Sequence, residues 1–161
     1  MEKVSVSVII PTICSIARAA SLMRAIDSVF LSVNLDIQVI VVVNGEKYDL
    51  EVVKTLKNDS RLTVIMLTVG NVSLARYEGL INSTGNYFCF LDDDDELLPN
   101  SLNIRIDYLN NNQSVDVVVT NGFFSGGGVD IQLVASDKAE LINTNKENAF
   151  LEQNWFTSCA Q

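Results

Sequence analysis

The stretch "YFCFLDDDDELLPN", residues 87 to 100, sets four aspartates and a glutamate directly behind a run fit for a buried strand. Neighbouring carboxylates a few ångströms apart repel by about 1 kcal/mol per pair even in water, and by more beside a low-dielectric wall. A fold that ends a core strand in such a cluster has to balance it. A bound cation is one means, and a helix N-terminus is another.

In an open α/β sheet, ligands bind outside the carboxyl ends of the strands. With "YFCFL" ending at Leu91, Asp92 to Asp95 stand at that rim. Residues two apart in an extended segment project the same way, so Asp92 and Asp94 are expected to converge while Asp93 points elsewhere. Two hard carboxylates without His or Cys suit Mg²⁺ or Mn²⁺, with water and phosphate oxygens completing the octahedron. The plain alternative is that the acids precede a helix opened by Pro99 and merely suit its positive end. One or two acids would serve that purpose; five exceed it.

Working outward, "VSVSVII" (4–10), "IQVIVVV" (37–43), "LTVIML" (62–67) and "VDVVV" (115–119) share the style of "YFCFL". Short, β-branched, nearly continuous apolar runs suit strands covered on both faces, as in a parallel sheet. Helical periodicity lies between them. Residues 18–33 carry Leu22, Met23, Ile26, Val29, Phe30 and Val33 on one face, "DLEVVKTLK" (49–57) is a shorter amphipathic segment, and Ser73 to Ile81 reads as a third helix. Pro99 would open a fourth, with Leu102, Ile106 and Leu109 facing inward. Alternating strands and helices predict an α/β fold with a mostly parallel central sheet between helices, a three-layer sandwich. "SGGG" (125–128) is a turn, after which a strand over 131–135 and a weak helix near Lys146 to Glu152 are expected. The sequence stops at "NWFTSCAQ" without a terminator, which predicts a C-terminally truncated domain.

Composition narrows the chemistry. At 161 residues the chain fits one domain, large enough to bury roughly 70% of its unfolded surface. Five of its twenty acidic residues fall in Asp92–Glu96, so the net charge of −9 is concentrated there. No basic stripe invites nucleic acid. There is no histidine, which excludes a Ser–His or Cys–His pair within this chain and argues against zinc. Cys14, Cys89 and Cys159 are odd in number and far apart, which reads as free thiols in a reducing, cytoplasmic setting. No apolar run approaches the ~20 residues that cross a membrane. Phosphate-binding glycine motifs are missing too, since neither GxxxxGK nor GxGxxG follows a strand.

Three further stretches belong to the same rim. "PTICS" (11–15) follows the first strand, which Pro11 is expected to end. "NGE" (44–46) follows the second, and Asn-Gly favours a turn with positive φ. "GNVSLARYEG" (70–79) leads into a helix capped by Asn71 or Ser73 and carries Arg76, either a surface ion-pair arginine or a phosphate clamp.

In this order, "VSVIIPT", "QVIVVVNGE" and "NVSLARYEGLINSTGNYFCFLDDDDELLPNSL" resemble the nucleotide-sugar-binding half of a family 2 glycosyltransferase of the GT-A fold. The likeness covers about residues 4 to 110 and is most specific over 71 to 99. It implies a domain whose donor half spans 1–120 and whose incomplete acceptor half begins at 121–161. It implies that Pro11 and Thr12 lie beside the nucleotide base, and that Asn44 stands near a base-contacting aspartate. An amide there offers a donor as well as an acceptor, which puts uridine preference in doubt. The likeness matches Arg76 to an arginine near the donor, with Tyr77 replacing a following asparagine. Asp92 and Asp94 match the ends of the D-x-D motif. Asp94, with Asp92, would ligate Mn²⁺ or Mg²⁺, while Asp92 and Asp93 face ribose and sugar. The implied donor is a UDP-sugar, with GDP- and dTDP-sugars as alternatives, and the acceptor is a saccharide or lipid-linked. Transfer would invert the anomeric centre, in the cytoplasm or at the inner face of the membrane. The implied catalytic base lies beyond Gln161; Asp130, Asp137, Glu140, Glu147 and Glu152 sit in no base motif.

Two other readings stay open. A phosphotransferase of the haloacid-dehalogenase type also places D-x-D after a strand, but after the first, where here it follows the fourth. A catalytically idle nucleotide-sugar or cation-binding module is the second, favoured by Asn44 and by the expected lack of a base.

Overall fold

The computed structural model describes residues 5–32, 34–126 and 129–134. Four parallel strands form the central sheet: β1 (Ser5–Thr12), β2 (Asp36–Asn44), β3 (Leu62–Leu67) and β4 (Tyr87–Phe90), in the order β3-β2-β1-β4. Helices α1 (Ala19–Val29), α2 (Leu50–Asn58) and α3 (Val72–Ile81) connect them in turn, and α4 (Ser101–Asn111) follows β4. The chain thus winds outward from β1 to β3 and then returns to the other side of β1. That reversal puts a topological switch point between β1 and β4.

The alternation of side chains along each strand builds two cores. Val6, Val8 and Ile10 of β1, with Val39, Val41 and Val43 of β2, face Leu22, Ile26, Val29, Leu56, Leu102 and Ile106 from α1, α2 and α4. Ile9, Ile40 and Val42 face the other way and pack with Ala75 of α3. The expected three-layer α/β architecture is therefore present. Gly79 allows the close approach of α3, because a Cβ there would stand 2.2 Å from Cγ2 of Ile9.

Several expectations need correction. Pro11 does not end β1, which pairs through Pro11↔Val42 and Thr12↔Val43. Leu91 donates its N–H to the carbonyl of Ile9 at 3.0 Å, so the ring nitrogen of Pro11, two residues on, also faces the β4 side. The β1–β4 ladder stops at Ile9↔Phe90, so Pro11's missing donor costs no ladder bond. The helix expected over 18–33 begins as a 3-10 turn at Ile16–Arg18 and ends at Val29, with Val33 outside the described residues. Pro99 does not open α4; Asn100, left-handed at φ 62°, intervenes.

Residues 115–119 form no strand. They run past the free edge of β4 without a ladder, leaving Val117 and Val119 exposed. β-Propensity is realised only against a partner edge. Of the strand expected over 131–135, only Ile131 and Gln132 are strand, at the end of β6 (Val129–Gln132). Its antiparallel partner β5 (Phe123–Gly126) is absent from the sequence reading and takes in Ser125 and Gly126 of the expected turn. The helix expected near Lys146 lies outside the described residues.

Candidate functional site

The strands being parallel, their carboxyl ends share one rim. Thr12 closes β1, Asn44 closes β2, and Asp92 to Asp94 follow β4. A cleft of about 370 Å³ opens there at the switch point, lined by Pro11, Thr12, Ile13, Arg18, Asn44, Val72, Arg76, Asp92, Asp93 and Asp94.

The β1 side is held by one hydroxyl. Thr12 Oγ1 donates to Asp93 Oδ2 at 2.6 Å and accepts from the Cys14 amide at 2.9 Å. Cys14 is left-handed at φ 53°, a conformation costing on the order of 1 kcal/mol for a residue with a Cβ. Its carbonyl accepts from the Asp49 amide at 2.9 Å, and Asp49 in turn caps α2 by accepting from Glu51 and Val52. Burial, then Asp49 and Asp93, push the Cys14 thiol up to about 11.

The acidic stretch is a turn, closed by the Asp95 amide donating to the Asp92 carbonyl at 3.2 Å. The expected alternation, Asp92 and Asp94 together and Asp93 away, therefore fails: in a turn, residues two apart no longer share a face. Asp93 is the inward residue, 6% exposed, bonded to Thr12 and ion-paired to Arg18. Arg18 Nη1 also reaches Asp94 Oδ2 at 2.9 Å. The hydrogen bond and charge of Asp93 raise the pKa of Arg18, with Asp94 adding to the effect. The turn is further fastened along α1, where Arg24 pairs with Glu96 at 2.8 Å and Leu97 donates its N–H to Ser28 Oγ at 2.9 Å.

On the other flank, Asn44 Oδ1 accepts from the Asn71 amide at 2.7 Å, and the Asn71 side chain accepts from Leu74 at 3.1 Å. Asn44 thus ties the end of β2 to the start of α3, with Asn71 the N-cap. Gly45 makes the turn at φ 92°, as Asn-Gly suggests. One turn into α3, Arg76 pairs with Asp92 at 2.9 Å, its guanidinium 5.7 Å from the centre of the Phe90 ring.

All seven residues singled out from the sequence, Pro11, Thr12, Asn44, Arg76, Asp92, Asp93 and Asp94, border this one cleft. Arg18 is the residue that the sequence reading misses. It lies on a 3-10 turn whose path into the cleft is tertiary, and nothing local separates it from Arg24, which pairs outside the cleft. The arginines answer how the acidic run is balanced in the free chain.

Among the described residues, no three Asp, Glu, Cys or His side chains form a metal cage. The donor set is nevertheless all oxygen, and a guanidinium already stands as cation between Asp93 and Asp94. That arrangement fits a hard ion held by one or two carboxylates and completed by phosphate and water, the habit of Mg²⁺. Among the described residues no helix is long and apolar enough to cross a membrane.

A parallel sheet with a polar cleft at its switch point defines an open α/β domain of the kind that binds ligands at that point, and comparison with known proteins narrows it. Residues 7–160 match Glycosyl transferase family 2, and the chain belongs to that family. It is 33% identical over 119 residues to the uncharacterized glycosyltransferase RP339 of Rickettsia prowazekii, covering 73% of this chain and 36% of that protein. An uncharacterized glycosyltransferase of Rickettsia bellii is 29% identical over 116 residues, covering 71% and 16%. The chain thus spans about a third of the length of RP339 and about a sixth of the Rickettsia bellii relative. Among solved structures, S. aureus TarS 1–349 aligns with a TM-score of 0.57 at 21% identity, over 68% of this chain and 33% of that one. S. aureus TarS aligns at 0.58 and 20% identity, over 78% and 23%. These two likenesses establish the GT-A-like fold.

Proposed function

We propose that this chain is the donor-binding part of a glycosyltransferase that moves a sugar from a nucleoside diphosphate to a saccharide or lipid-linked acceptor. Transfer inverts the anomeric centre and uses Mn²⁺ or Mg²⁺. One observation carries the reading: residues from β1, β2, α3 and the β4 turn, up to 83 positions apart from Pro11 to Asp94, converge on a single polar cleft at the switch point.

As the sugar–phosphate bond breaks, negative charge gathers on the leaving diphosphate. Arg76, fixed between Asp92 and the Phe90 ring, offers a planar guanidinium to that charge. Asp94, with its side chain 55% exposed, and Asp92 would hold the divalent ion, which supplies Lewis-acid neutralisation of the leaving group. Asp93, locked by Thr12, keeps the turn in place and faces ribose and sugar with Asp92. Pro11, Thr12 and Asn44 border the space for the base. A UDP-sugar is the first candidate and GDP- or dTDP-sugars follow, because Asn44 replaces a carboxylate. The base that deprotonates the acceptor belongs to residues beyond Gln161, in the acceptor half that begins at 121–161. Of the carboxylates considered within the chain, Asp130 is exposed on β6 and the others lie outside the described residues. The free thiols Cys14 and Cys89 fit a cytoplasmic setting.

A second reading, an idle nucleotide-sugar-binding module, is favoured by the commitment of the Asn44 carbonyl to Asn71. Calorimetric titration with UDP, GDP and dTDP, with and without Mn²⁺, tests the donor site. Metal-dependent binding that falls at least about tenfold in Asp94→Ala is expected, as for loss of a charged ligand. A folded chain that binds none of the three would overturn the reading. Binding without sugar transfer by the longest available parent chain would favour the idle module.

A further inference from the structure

We propose that Arg18 is a transferable counter-ion of this cleft: it holds the acidic turn in the free chain and passes from Asp94 to the donor's diphosphate on binding. This rests on the donor-site reading above and adds a residue that neither the family resemblance nor the sequence pattern assigns.

The two carboxylates that Arg18 bridges are not equivalent. Asp93 is 8% exposed at its side chain and keeps the Thr12 hydroxyl as a donor if the arginine leaves. Asp94 is 55% exposed and, among the described residues, has no second ion pair. Arg18 is itself 43% exposed, on a 3-10 turn that borders the cleft, so its side chain has room to turn. The Arg18–Asp93 contact is therefore the anchor and the Arg18–Asp94 contact the labile arm. Arg24, six residues on, makes a like pair with Glu96 outside the cleft and serves as the built-in contrast.

Charge then dictates the order of events. The free cleft sets Asp92, Asp93 and Asp94 against Arg18 and Arg76, leaving a net negative charge. A diphosphate alone meets that charge, and a divalent ion alone has to share Asp94 with a guanidinium about 3 Å away. When both enter, Arg18 Nη1 exchanges its Asp94 oxygen for a phosphate oxygen, and the guanidinium offers the diphosphate a planar fork that its one-nitrogen contact with Asp94 does not use. Asp94 is released in the same movement. Arg18 thus makes each ligand improve the other's affinity, and such coupling typically amounts to about 5- to 150-fold.

The test uses the whole chain, Mn²⁺ followed by its electron paramagnetic resonance signal, and UDP, GDP and dTDP followed calorimetrically. Wild type, Arg18→Gln and Arg18→Lys are compared. In wild type, nucleotide is expected to tighten Mn²⁺ at least about tenfold. In Arg18→Gln, Mn²⁺ alone should bind about threefold tighter, the worth of an exposed pair removed, while its coupling to nucleotide falls towards nil. Arg18→Lys, keeping the charge without the fork, should lie between. Unchanged coupling in Arg18→Gln, or weaker Mn²⁺ binding without nucleotide, would overturn the proposal and leave the donor site standing. If Arg18→Gln fails to fold by circular dichroism, unchanged coupling in Arg18→Lys does the same. A wild type that binds no nucleotide removes the donor-site reading, and the role of Arg18 with it.

Discussion

Two cavities border β4, and they are built on opposite terms. One lies beyond the strand's carboxyl end, holds about 370 Å³ and is ringed by charges that pair with one another. The other runs along the strand's free edge, holds about 600 Å³ and is walled by Val6, Leu102, Ile106, Leu109 and the valines of 115–119. The larger, more apolar space is the usual first guess for a binding site. Here the smaller one is the proposed donor site, because four elements aim polar groups into it. The edge cavity is lined by β4 on one side and by residues 115–120, which join no ladder, on the other. Volume records where packing stops, whereas converging polar groups record an organisation that packing alone does not require.

Both cavities own a partly or largely buried arginine, which makes the comparison breakable. At the rim, Thr12 serves two buried partners, so Thr12→Val unpairs Asp93 Oδ2 and the Cys14 amide together. Leaving two buried polar groups without partners should cost about 2–3 kcal/mol, read as a fall in urea midpoint at unchanged slope. A loss below 0.5 kcal/mol, in the range of ordinary surface changes, would mean that the rim is no more organised than the edge.

Arg105 at the edge should behave in the opposite way. Its guanidinium donates to Thr120 Oγ1 at 3.0 and 2.8 Å, and burial lowers its pKa. Among the described residues it has no carboxylate ion pair. A half-buried cation with a neutral partner gains little from it, so Arg105→Met is expected to change stability by less than about 1 kcal/mol, or to raise it. The same urea experiment decides. A loss above 2 kcal/mol would give the edge cavity an electrostatic organisation that the contrast denies it.

The contrast also tracks what was legible in the sequence. The runs that became β1 and β2 are buried on both faces, and their burial is written into consecutive β-branched residues; β3 and β4, at the sheet's edges, are half-buried but carry the same apolar style. Their carboxyl ends then fell at one rim by topology alone, which is why Thr12, Asn44, Arg76 and the aspartates could be grouped beforehand. Where the outcome hangs on a partner, the reading failed. "VDVVV" has the composition of a strand but no ladder on the β4 edge. Asp92 to Asp95 close a turn because Thr12 and Arg18 pull Asp93 inward, and neither partner is near in sequence. Pro11 stays in β1 because its neighbour on that side has already ended, a fact about β4.

The smallest effect expected is a chemical one, and it probes the rim from beneath. Cys14 is fully buried, and its thiol is raised to about 11 by burial and by Asp49 and Asp93. A proton held more tightly in the folded chain than in the unfolded one stabilises the fold only while it stays bound. Its contribution is therefore whole below the ordinary thiol value of 9.0 and is lost as pH rises towards about 11. In a Cys89→Ser, Cys159→Ser background, Cys14 should resist a thiol-specific dye at pH 8, and urea midpoints should fall between pH 9 and 11. Replacing Asp49 by Asn removes one of the two neighbouring charges, so labelling should move to lower pH, while the stability loss above pH 9 should become smaller and level off earlier. Rapid labelling of native Cys14 at pH 8 would mean that the loop between β1 and Arg18 opens readily. The rim would then owe its order to bound ligand rather than to the network of Thr12, Asp93 and Arg18.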